Sequence, residues 1–173
     1  MNNNRIKIIN EKIDFLKSRY KQNYKFNRPL SEKEIVFFES KTNIELPYDY
    51  KEVLKNIGNG GCFGIEPLDI NENHSRINFN FPLTEANIEA YDLENNIFDG
   101  QIIIESGGCG NFTFLVVSGA EYGNVWWHEI PSNDEIIPFT GFDWEKRFQP
   151  NVRKTFCDWF SDLLDLEISQ LSR

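Results

Sequence analysis

The stretch NIGNGGCFG, residues 56–64, has the glycine density of a loop that could wrap a phosphate with converging backbone N–H groups. The order of its neighbours argues against that chemistry. A phosphate loop follows a strand, carries Lys and Ser or Thr after its last glycine, and opens a helix whose N-terminus faces the anion. Here a helical pattern precedes the glycines and no Lys comes directly after them, so an anion would meet the negative end of the helix dipole. Gly58 reads instead as a left-handed C-cap, and Gly60 and Gly61 as the reversal into a first strand. A second cluster, SGGCGN at 106–111, sets Cys109 among Gly107, Gly108 and Gly110. A nucleophilic thiol needs an adjacent base, and the sequence does not place His74 or His128 beside it. A tight turn or bulge between two strands is the reading for this segment.

Cys62, Cys109, Cys157, His74 and His128 are the whole soft-ligand inventory, and they show none of the C-x-x-C, H-x-x-x-H or H-E-x-x-H spacings of metal centres. No G-x-S-x-G elbow is present, and carboxylate pairs such as Asp134 and Glu135 fall in polar loops. The residues therefore specify no catalytic group, no metal and no cofactor. Trp126 and Trp127 could stack a ligand, but neighbours on a strand face opposite sides. One Trp should enter the core while the other lies under a helix or at the surface, where an aromatic ring can anchor an interface.

Eighteen Lys and Arg against 27 Asp and Glu give a formal charge of −9. That field repels phosphate backbones and anionic headgroups, which argues against nucleic acid and membranes as partners. It favours a basic protein, or serves solubility alone. The N-terminus lacks a secretory pattern and no segment approaches the roughly 20 apolar residues of a membrane span. With three widely spaced cysteines, the expectation is a cytoplasmic protein with reduced thiols.

The elements that must position these residues follow from periodicity. Ile6, Ile9, Ile13, Leu16 and Tyr20 recur at steps of three and four and predict a helix over 5–20. Ser31 and Glu34 form a capping box for a second helix reaching about Lys41. Pro47 suits the first position of a third, with Tyr50, Val53, Leu54 and Ile57 as its stripe. Strand-like runs then occupy 62–65, 76–81, 101–105, 111–119, 123–130 and 135–139, with a thin helical pattern at 84–94. In 111–119, Phe112, Phe114 and Val116 share one face and Thr113, Leu115 and Val117 the other, as in a central strand covered on both sides. From Asn151 the helical period returns, with Phe156, Trp159, Phe160, Leu163, Leu164, Ile168 and Leu171 on one face. The pattern predicts a single α+β domain over 1–173, its core at about 28–171, with a mostly antiparallel central sheet between N-terminal helices and a C-terminal helix.

Two segments carry a resemblance. The pattern LP-x-D/E-Y/F…L…N-G-G is matched by Leu46, Pro47, Asp49, Tyr50, Leu54, Asn59, Gly60 and Gly61, and F-x-x-W/F-L/F by Phe156, Trp159 and Phe160. With the order of elements over about 28–167, the chain resembles the SUKH superfamily, which includes a fungal cell-wall-synthesis regulator and many bacterial immunity proteins. It departs from the pattern where G-x-x-LP is typical, with Asn43 and Glu45 in that turn.

The resemblance implies a non-enzymatic antidote that binds a cognate toxin, often a nuclease or deaminase, in the producing cell's cytoplasm, with the motif residues maintaining the fold. A net charge of −9 would complement a basic toxin. The interface would then draw on Glu66, Asp69 and Glu72 after the glycine loop, Glu89, Asp92 and Glu94 in the 84–94 segment, and Glu121 with Tyr122 in the later hairpin. A scaffold or regulatory module is the other reading. The sequence leaves monomer and dimer open, because the first helix is too short to argue a coiled coil.

Overall fold

The computed structural model describes residues 3–20, 24–72, 74, 76–84, 98–129, 135–143 and 149–171. The chain runs α1 (Asn3–Arg19), α2 (Glu32–Thr42), α3 (Tyr48–Asn56), β1 (Gln101–Gly108), β2 (Asn111–Val116), β3 (Val125–Glu129), β4 (Glu135–Pro138) and α4 (Phe156–Leu171). The strands form one antiparallel meander in the order β1-β2-β3-β4, so the α+β arrangement expected from the pattern is the one present.

Helix α1 buries Ile9, Ile13 and Leu16, the stripe its period requires, and packs on α4. Lys12 fixes that contact, donating to Ser161 Oγ at 2.7 Å and to Asp165 at 2.7 Å. Helix α2 opens with the expected capping box: Glu34 N–H donates to Ser31 Oγ at 3.3 Å, and Ser31 N–H donates to Glu34 at 2.8 Å. Hydrogen bonds from Arg28 and then from Ser31 hold the Glu34 carboxyl down to about 2. Asn43 ends α2 at φ 55 and ψ 42. The departure from G-x-x-LP is thus absorbed by the non-glycine residue that best tolerates a left-handed conformation.

The sheet is covered on both faces. Ile102, Ile104, Leu115, Val117 and Val125 join the helices in the main core, whereas Phe114, Val116, Trp126 and Ile136 pack against Phe81 and Leu83 on the opposite side. Leu115 and Val116 therefore face opposite ways, and β2 is the central strand that its unbroken apolar run predicts. The two tryptophans divide as adjacent strand residues must: Trp126 is fully buried and Trp127 half-buried.

Several sequence expectations need correction. Pro47 is the N-cap of α3 rather than its first residue. Gly58 is not a left-handed cap, since its φ is 159 and the C-cap is Ile57. Its absent side chain serves close packing instead, because a Cβ would lie 2.6 Å from Asn27 O and 2.6 Å from Phe26 Cβ. Residues 62–65 contribute only an isolated bridge, Ile65 to Glu105. Residues 76–81 form turns and coil despite their alternation. Their backbone is drawn to Gly100 and Ser118, with Gly100 N–H donating to Arg76 O at 3.2 Å and Phe81 N–H to Ser118 O at 3.0 Å, which leaves no regular ladder. Strand β2 ends at Val116, beyond which Val117 N–H and Ser118 N–H both donate to Gly100 O, at 2.7 Å and 3.2 Å. Helix α4 starts at Phe156, not Asn151, which sits at φ 62. Of the 84–94 segment only Thr84 is among the described residues.

Candidate partner-binding surface

The glycine loop after α3 builds the surface that Glu66, Asp69 and Glu72 share. Asn59 reaches across it and brackets Leu68 on both backbone groups: its side-chain N–H donates to Leu68 O at 3.0 Å and its oxygen accepts Leu68 N–H at 2.8 Å. Gly61 N–H donates to Ile65 O at 2.8 Å. At Gly60, φ is 61 and a Cβ would stand 2.7 Å from the Glu66 backbone, so only glycine fits there. Farther along, Lys41 donates to Asn71 O at 2.7 Å and Glu72 O at 3.0 Å. The segment 65–72 is thereby pinned against the open edge of β1, with Glu66 N–H donating to Ile104 O at 2.9 Å.

Between that segment and β1 lies a groove of about 400 Å³, lined by Glu66, Asp69 and Glu72 on one wall and Phe98, Gln101 and Ile103 on the other. The three carboxylates are exposed, as are the Phe98 ring (52 %) and Ile103 (38 %). The Gln101 side-chain oxygen is buried in that wall without a hydrogen-bond partner. His74 also lines the groove, its ring set edge-on to Phe38 at 5.3 Å. Carboxylates beside exposed apolar surface can bind a basic protein face with an apolar contact at its centre.

The other acidic candidates stand elsewhere. Glu121 is 8 % exposed, not the solvent-facing carboxylate expected of a hairpin. Arg153 binds it through Nε at 2.7 Å and Nη2 at 3.1 Å, and the Asn124 side chain donates at 3.0 Å. Burial alone would raise the Glu121 carboxyl, but these hydrogen bonds and the Arg153 charge hold it below its ordinary value. Tyr122 is exposed (44 %), and partial burial and then the Glu45 carboxylate push its hydroxyl up. Glu89, Asp92 and Glu94 lie outside the described residues.

The two motif segments meet in space. Asp49 accepts Cys157 N–H at 3.0 Å, so a carboxylate from α3 caps the first turn of α4. Tyr50 packs on Phe156 with ring centroids 4.6 Å apart, and Phe156 on Trp159 at 5.4 Å. Leu46, Leu54 and Phe160 are fully buried beside them. Burial, reinforced by the Asp49 charge, pushes the Cys157 thiol up to about 12, an inert thiol rather than a nucleophile. Cys62 is half-buried and its thiol is also raised by burial, while Cys109 occupies the exposed β1–β2 turn at φ 52. Among the described residues no group of three or more His, Cys, Asp and Glu could hold a metal ion, and no helix is long and apolar enough to cross a membrane.

Sequence reasoning missed Glu105, Asn111 and Phe142, which line a separate hollow of about 190 Å³ with Phe112, Thr113 and Trp127. The acidic end of the apolar run QIIIE was the available signal.

No curated protein and no solved structure gives a significant match to the chain. A family model does match, over residues 29–162, which takes in both motif segments and the whole sheet. The chain belongs to the SMI1 / KNR4 family (SUKH-1).

Proposed function

We propose that this protein is a cytoplasmic immunity protein that binds and neutralises a cognate toxin domain, with a basic, nucleic-acid-acting toxin as the partner its charge fits. Family membership supports an immunity or regulatory protein-binding role in general terms. The observation that carries the finer reading is the groove along β1, where three exposed carboxylates on a clamped segment border Phe98 and Ile103. Carboxylates held in this way occupy the positions that a nuclease surface reserves for phosphates, and the net charge of −9 speeds the encounter.

Co-expression with the product of the neighbouring open reading frame, followed by pulldown and growth rescue, tests the role. The expected result is binding with rescue, and an association rate that falls about tenfold or more in the Glu66→Lys, Glu72→Lys double variant while its melting temperature holds. The association rate of the unaltered protein should also fall steeply with added salt. Reversals that leave binding intact remove the groove from the interface. Neither binding nor rescue, with both proteins folded, rejects that gene product as the cognate toxin and moves the scaffold reading to the front.

A further inference from the structure

The hollow beside β2 is chemically unlike the groove. Its aromatic walls are Phe112, Trp127 and Phe142, with Phe142 braced edge-on against buried Phe139 at 4.9 Å. Two of its polar side chains offer acceptor oxygens. Glu105 accepts the Thr113 hydroxyl at 2.7 Å through Oε2, and no ion pair to it exists among the described residues. The Asn111 side-chain oxygen is buried with no hydrogen-bond partner. A half-buried carboxylate without a cation, an unfilled acceptor and aromatic rings together form a receptor for positive charge. Burial pushes the Glu105 carboxyl up, with the Thr113 hydrogen bond offsetting part of that shift, so the site carries a desolvation cost that a cation would relieve.

Size selects the ligand. At about 190 Å³ the hollow falls below the roughly 300–1,000 Å³ of small-molecule and cofactor sites, and it suits one long side chain. A guanidinium fits better than an ammonium, because its plane lies on aromatic rings while its N–H fork serves a carboxylate. Phe112 is common to the lining of this hollow and of the groove. Thr113, which fixes the carboxylate, is itself buried in the central strand.

We propose that this hollow receives an arginine side chain of the protein partner, held between the Glu105 carboxylate and the aromatic walls. The assignment rests on the reading of the protein as a binder of a basic partner, and adds the residue type that anchors it.

The test needs no partner. N-acetyl-arginine amide is titrated into the labelled protein while the Trp127 indole and Thr113 amide resonances are followed, with N-acetyl-citrulline amide as the uncharged control. Saturable shifts are expected for the arginine amide, with dissociation constants on the order of millimolar, and not for the citrulline amide. Glu105→Gln, whose spectrum should otherwise stay native, is expected to weaken binding about tenfold or more, and Phe142→Leu several-fold. Equal shifts with the citrulline amide, or an unchanged titration in Glu105→Gln, would overturn the proposal. Once a partner is in hand, equal affinity for the native protein and Glu105→Gln removes the hollow and spares the immunity reading. Arginine-amide binding in a protein that has no toxin partner does the reverse.

Discussion

The Asp49 carboxylate joins two places in the chain that share no local pattern. One oxygen accepts Tyr50 N–H at 3.0 Å and the other accepts Cys157 N–H at 3.0 Å, satisfying a donor that α4 cannot satisfy itself. Asp49→Ala should destabilise the protein by about 1–2 kcal/mol in urea unfolding, with Asp49→Asn recovering part of the loss. The motif makes Asp49 visible in the sequence, but its partner cannot be read there, since no periodicity reports on a contact across 108 positions. The burial of Glu121 escapes the sequence for a related reason: a turn-rich segment suggests solvent, and the Arg153 that buries it is distant along the chain. Because its folded carboxyl lies below its unfolded value, the folded state binds fewer protons. The stabilisation is full above the unfolded value of about 4.3 and is lost as pH falls through the folded value. Glu121→Gln breaks the buried pair with Arg153 and should cost about 2 kcal/mol at pH 7, and its urea midpoint should approach that of the unaltered protein as pH falls through the folded value.

At the level of elements, the helices are legible because each has a single buried stripe, and a stripe is a local property. The strands β1 to β4 are legible where apolar runs fall between turn signals. Residues 76–81 are not, since alternation describes a half-buried surface and not the ladder that makes a strand. What holds that segment is Gly100, where a Cβ would meet Phe79 O at 2.5 Å and Phe81 N at 2.6 Å. Asn59 plays the matching part for the acidic wall. In the sequence it stands only as a motif position, whereas in the fold it brackets Leu68 so that residues 66–72 keep one conformation. Asn59→Ala should lower stability by about 1–2 kcal/mol and raise hydrogen exchange at Leu68 N–H far more than at Leu115 N–H in the core. Partner binding should weaken beyond what the stability loss explains. Equal exchange at both sites would mean that Asn59 supports the whole fold and not the segment.

For the whole molecule, composition makes a well-packed α+β domain legible, while the candidate partner-binding surface is legible only as a set of charges. Packing decides which charges share a place: Glu66, Asp69 and Glu72 gather on one groove, and Glu121 is withdrawn into an internal ion pair. The three free cysteines sample the same packing at graded depths, exposed at Cys109, intermediate at Cys62 and buried at Cys157. They form a set of built-in clocks. With a thiol-specific reagent, Cys109 should react during mixing, Cys62 at the rate at which the glycine loop opens, and Cys157 only as α4 parts from α3. Identical rates at Cys62 and Cys157 would show that the loop opens only with the whole fold. A bound partner that slows Cys62 and leaves Cys157 untouched would write its footprint in time, stopping the clock it covers while the deeper one keeps the rhythm of the fold.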